Sequence, residues 1–167
     1  MDVQVTILSQ YRASFLMMER ALSLCPPALW EDPAPKNRYW QLAYHALFYT
    51  HLYLHTHEDE FTPWSGHQRE SQFMGPLPWP PHELPAPCRP YGVGEVREFL
   101  DLCRAEAERR IPLLDLDAPS GFSWLPFDKL ELQFYNLRHL QHHLGQLADR
   151  LRISADLSLG WVGKGQS

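Results

Sequence analysis

Residues Asn136–Leu147 read NLRHLQHHLGQL. Leucines recur through this stretch at helical spacing, and His139 and His143 stand four residues apart. That spacing stacks two imidazoles on one side of a helix, within reach of one metal ion. The pattern extends in both directions. From Phe127 to Ile153, Leu130, Phe134, Leu137, Leu144, Ala148 and Leu151 mark one side of the longest predicted helix. On a wheel of about 100° per residue, Glu131, Arg138, His142 and Asp149 share the polar side. His139 and His143 fall beside Leu132, Asn136 and Leu147, at the edge of the apolar arc. His142 is therefore expected to be a solvated neighbour.

Three more helices are read upstream. The first runs from Val3 to Leu24, with Leu8, Tyr11, Phe15, Met18 and Leu22 as its stripe, and stops at Cys25-Pro26-Pro27. The second runs from Asn37 to His55. The third runs from Gly94 to Leu114, with Val96, Phe99, Leu100, Cys103 and Ile111 apolar. Four amphipathic helices and no strand alternation predict an all-α four-helix bundle. Between helices two and three, Glu58 to Tyr91 has no helical period and contains the proline-dense PLPWPPHELPAPCRP, Pro76–Pro90. A link this long is more than a hairpin needs. It lets helices two and three run parallel, giving an up-down-down-up order. Its aromatics (Phe61, Trp64, Phe73, Trp79, Tyr91) predict that it packs on the bundle. The domain is read as residues 1–155, followed by a loosely held tail, 156–167.

The second helix holds the remaining histidine of interest. His45 shares a face with Leu42, Phe48, Tyr49 and Leu52. A buried imidazole needs a polar partner, and a third histidine beside an HxxxH pair makes a three-histidine metal site the sharpest reading. The plainer one is two amphipathic side chains bordering a core. Three protein ligands leave a coordination position open, the pattern of a catalytic metal. His51 and His55 form a rival pair, but they run into the polar THEDE, where surface histidines are common. His57, His67 and His82 fall in loops. Tyr49, Asn136 and Gln146 carry groups near the right faces to partner the metal-binding rings.

WQLAYHALFYTHLYL (Trp40–Leu54), together with LPFDKLELQFYNLRHLQHHLGQL (Leu125–Leu147), resembles the DinB-like superfamily. The resemblance covers essentially the whole chain, with Leu144 where an arginine is frequent and an unusually proline-rich crossover. It implies an up-down-down-up bundle with a divalent metal on His45, His139 and His143, and it places Gly145-Gln146 in the pair that follows the second HxxxH histidine. The superfamily includes bacillithiol-using transferases and mycothiol-dependent maleylpyruvate isomerases. The implied function is thus a metal-dependent thiol S-transferase or isomerase acting on a small electrophile, with a low-molecular-weight thiol as co-substrate. The alternative is a non-catalytic metal- or small-ligand-binding stress protein. Zinc and nickel both suit imidazole ligands.

Composition bounds the partners. A net charge of −5 argues against nucleic acid. No basic run suggests a membrane surface, no stretch is apolar enough to cross one, and MDVQVTILSQYRASF has no signal-peptide pattern. Three cysteines, Cys25, Cys88 and Cys103, without CxxC spacing indicate free thiols and a cytoplasmic setting. Phe15, Met17, Met18 and Leu22 make the first helix wider in apolar surface than one core seam uses, which points to a homodimer.

Overall fold

Caps and prolines set the helix limits. The computed structural model describes residues 2–165. Among them lie five α-helices: α1 (Val3–Leu24), α2 (Pro27–Trp30), α3 (Tyr39–Leu54), α4 (Val93–Arg110) and α5 (Lys129–Ala155). Two 3₁₀ turns cover Glu58–Glu60 and Ile111–Leu113. The described chain has no strand, only an isolated bridge between Pro119 and Asp128. α1 starts where the Asp2 carboxylate accepts the Val5 N–H at 3.1 Å. It ends before Pro26, and Pro27 opens the short α2, which the sequence reading did not separate. Gln41 Oε1 accepts the Arg38 N–H at 2.7 Å at the head of α3. Glu95 Oε2 does the same for Gly92 at 2.8 Å at the head of α4. α4 is shorter than expected because Pro112 tightens its end into the 3₁₀ turn. Asp128 accepts the Glu131 N–H at 2.8 Å and starts α5. Asp156, at φ 54°, ends it.

The four long helices pack pairwise, α1 on α4 and α5, α3 on α4 and α5. Tyr11, Met18, Leu47, Leu100, Leu140, Leu144 and Leu151 are among the side chains buried between them. Each large apolar side chain buried this way contributes about 1.5–3 kcal/mol. Specific pairs fix the register. Arg12 meets Glu108 at 2.6 Å, and Arg104 meets Glu19 at 3.4 Å. Tyr11 donates to Gln133 at 3.0 Å and Gln141 to Ser14 at 2.7 Å. Arg150 donates to the Asn37 carbonyl at 2.6 Å.

The crossover is laid onto these helices by its aromatics. Tyr91 is buried and stacks on Tyr44 with centroids 4.4 Å apart. Trp64 stacks on Phe99 at 5.2 Å. The Tyr91 hydroxyl accepts the Gln68 N–H at 2.7 Å and lies 3.1 Å from Ser71 Oγ. Trp79 stays half exposed against Phe73.

Two expectations about the surface meet a different structure. Phe15, Met17, Met18 and Leu22 are all buried within the chain, so the face that motivated a homodimer is consumed by the core. The tail as far as Gly165 lies against the helices. Leu159 is buried, and the Gly165 N–H donates to the Ser9 carbonyl at 3.2 Å. Residues 166 and 167 of the expected tail lie outside the described residues. No helix among the described residues is long and apolar enough to cross a membrane.

Candidate metal centre

Where α3 packs on α5, three imidazoles turn inward. Nε2 of His45 lies 3.2 Å from Nε2 of His139, and Nε2 of His143 lies 3.2 Å from the same atom. The other ring nitrogens of His45 and His143 are taken. His45 Nδ1 sits 2.6 Å from the Gln72 carbonyl oxygen, and His143 Nδ1 sits 2.8 Å from Gln146 Oε1. A carbonyl oxygen only accepts, so each Nδ1 carries the proton and each Nε2 of a neutral ring keeps its lone pair. His139 Nδ1 is buried without a hydrogen-bond partner.

This donor set fits a divalent cation. Two Nε2 lone pairs face a third nitrogen that has at most one proton to offer, which leaves the cluster short of a positive centre. Nitrogens bound to a tetrahedral zinc at about 2.0–2.1 Å stand about 3.3 Å apart. The two Nε2–Nε2 separations of 3.2 Å match that spacing. The rings are also held neutral. Burial lowers His45 to about 4; the Gln72 bond opposes this, and His143 and His142 add to it. Burial, then the neighbouring His45, His143 and His142, lowers His139 to about 3. Burial lowers His143 too, against the bond to Gln146. Neutral imidazole is the form that binds metal.

The partners of these rings differ in part from expectation. Gln146 sits as read. Tyr49 touches the site only through its ring, with centroids 4.8 Å from His45 and 5.4 Å from His139. Asn136 faces elsewhere: its side-chain N–H donates to the Thr50 carbonyl at 3.1 Å, because that buried carbonyl of α3 lies opposite it. The Gln72 carbonyl was not legible. A main-chain oxygen in an irregular segment has no side-chain signature. His142 is exposed, as the wheel placed it.

A cavity of about 260 Å³, lined by Tyr135, Arg138, His139 and His142, opens beside the cluster. The Arg138 guanidinium lies over the Tyr135 ring at 5.6 Å. A larger cavity of about 560 Å³ is walled by residues of the loop between α4 and α5, including Phe122 and Phe127, and carries no imidazole. The cluster, with its convergent donors, is the better candidate for chemistry.

The rival pair is not a surface feature. His51 and His55 are both buried, 4% and 5% exposed. The polar THEDE that follows hid this, because Phe61 turns back and sets its ring edge-on to both imidazoles, at 5.2 Å each. Among the loop histidines, His67 Nδ1 meets the Tyr44 hydroxyl at 2.6 Å, and His82 Nδ1 donates to the Leu77 carbonyl at 3.0 Å.

No family model, curated protein or solved structure matches this chain.

Proposed function

We propose that this chain is a metal-dependent enzyme of the thiol S-transferase or isomerase type. In this reading it is a DinB-like protein that holds one divalent ion, zinc or nickel, on His45, His139 and His143. The observation that carries the proposal is the convergence of three Nε2 atoms, with the Nδ1 atoms of His45 and His143 held by acceptors. Residue pairs support the bundle topology. Arg12–Glu108 and Arg104–Glu19 pair α1 and α4 in opposite senses, whereas Tyr11–Gln133 and Ser14–Gln141 pair α1 and α5 in the same sense. His45–His139 and Thr50–Asn136 pair α3 and α5 in opposite senses. Together these support an up-down-down-up order.

When bound, the ion supplies Lewis acidity that lowers the pKa of a thiol placed against it. The rest falls to the chain. The Gln72 carbonyl and Gln146 fix two rings so that the donors converge without reorganisation. Tyr49 packs against His45 and His139 and keeps water from that side. Arg138, at the mouth of the cavity, is placed to pair with an anionic group of a small electrophile. The cavity is small against the range of about 300–1,000 Å³ usual for ligand sites, which favours as second reading a metal- or ligand-binding protein without turnover.

The experiment is a panel of low-molecular-weight thiols offered with a generic electrophile to zinc- or nickel-loaded protein and to His139→Ala. Metal-dependent conjugation with at least one thiol, lost in His139→Ala, is the expected result. No turnover across the panel, with no thiol-induced change in the spectrum of a cobalt-substituted sample, would select the binding-protein reading.

A further inference from the structure

The end of α3 carries a second histidine pair, His51 in its last turn and His55 as its C-cap, with the same spacing as the pair on α5. His51 and His55 face α4, where Glu106 meets them. One donor atom from each of the three residues lies within 4.8 Å of the others. The two rings stand 4.8 Å apart, at 78° to each other. His55 Nδ1 donates to the His51 carbonyl at 2.9 Å, which leaves its Nε2 lone pair unused. His51 Nδ1 is buried with no hydrogen-bond partner, on a residue only 4% exposed. A buried, unpaired ring nitrogen is costly unless something fills the gap.

Glu106 is prepared as a third ligand. Arg109 donates to its Oε2 at 2.7 Å, and Arg110 donates to the same oxygen. Both guanidinium bonds fall on Oε2, so Oε1 keeps its lone pairs for a cation. The arginines orient the carboxylate in the way that partners of metal ligands do. Phe61 and Phe99 close the apolar shell: Phe61 lies edge-on to both rings, and Phe99 lies edge-on to His51 at 5.7 Å.

The geometry points to a second divalent-metal site, of the zinc class, formed by His51, His55 and Glu106 between the ends of α3 and α4. Two imidazoles and a carboxylate are a donor set that zinc and similar ions accept. The site is separate from the three-histidine cluster, because His45 faces α5 whereas His51 faces α4. Its ligands join the last turn of α3 to the last turn of α4, and the ring of Phe61, at the start of the crossover, covers it. An ion there ties these elements together, and three protein ligands leave it one position for solvent.

The test uses the full chain carrying His139→Ala, which disables the first cluster and makes the result independent of it. Apo protein is titrated with zinc by calorimetry, and thermal unfolding is followed with and without zinc. One equivalent bound, with a rise in melting temperature on zinc addition, is expected. Adding Glu106→Gln should weaken that binding at least tenfold and remove most of the rise. Circular dichroism checks that this variant is folded. If it is not, His55→Gln in the same background is measured instead, with the same loss expected. Absence of zinc binding by His139→Ala up to millimolar metal, or equal binding with and without the second substitution, would overturn the site.

Discussion

Nδ1 of His45 lies 2.6 Å from the carbonyl oxygen of Gln72, 27 positions later in the chain. This one bond ties the proline-rich crossover to the three-histidine cluster. It sets the tautomer of His45, and with it the direction of the Nε2 lone pair. The crossover therefore belongs to the site as well as to the connection between helices.

Gln146 does the same for His143 from within α5, at 2.8 Å. Gln146→Leu removes the acceptor and leaves the helix intact. Removing such a partner weakens metal affinity by about 10–100-fold. In the Glu106→Gln background, where the second site is weakened, competition against a chromogenic chelator should show that weakening with one equivalent still bound at saturation. Unchanged affinity would mean that the ring is held by packing alone.

His142 and His143 are adjacent, yet one is exposed and the other is 5% exposed. In the same Glu106→Gln background, where the second site is weakened, His143→Ala should lose the bound ion and His142→Ala should keep it. Elemental analysis of the two purified variants decides the matter, and the reverse pattern would show that α5 presents its other face.

Gly121 sits at φ +83°, and a Cβ there would stand 2.0 Å from the Thr56 carbonyl oxygen. The Glu58 N–H donates to the Gly121 carbonyl at 3.0 Å, and Lys129 Nζ donates to the Thr56 carbonyl at 2.5 Å in the same knot. Gly121→Ala must adopt a left-handed backbone and push this contact apart. The expected loss is about 2 kcal/mol or more, read as a lowered denaturant midpoint. Wild-type stability would show that the loop shifts freely.

Glu95 is pulled down from its ordinary 4.5 to about 2, first by the hydrogen bonds from Arg89 and then by the Gly92 N–H, against a small burial effect. Because its folded pKa is depressed, this carboxylate contributes stability that is full above about pH 4.5 and fades as pH falls toward 2. The pair is largely solvated, so the contribution is small. Glu95→Gln should be less stable than wild type at pH 7 and should converge with it near pH 2. Equal stability at both pH values would remove Glu95 as a cap.

What the sequence disclosed follows the range of each signal. Helical periodicity and i, i+4 spacing are local, so α5, the HxxxH pair and the inward face of His45 were readable. Gln146 was readable for the same reason, being three residues from its partner. Gln72 was hidden because it acts through its main chain. Asn136 shares the inward arc, but its amide is drawn to the Thr50 carbonyl, a partner set by the packing of α3 on α5. His51 and His55 were misplaced because the residues after them are polar, while what buries them, Phe61 and α4, comes from elsewhere in the chain. The apolar width of α1 was read as pointing to a homodimer, whereas the chain itself buries Phe15, Met17, Met18 and Leu22.

The proposed function rests on His45, His139 and His143 sharing one ion. A zinc titration of the apo Glu106→Gln chain, in which the second site is weakened, tests this, alongside the same chain with His45→Ala, His139→Ala or His143→Ala added. One tightly bound equivalent is expected for the first protein, with a loss of at least a hundredfold in affinity in each of the other three. Retention of that equivalent when any one of these histidines is removed would contradict it.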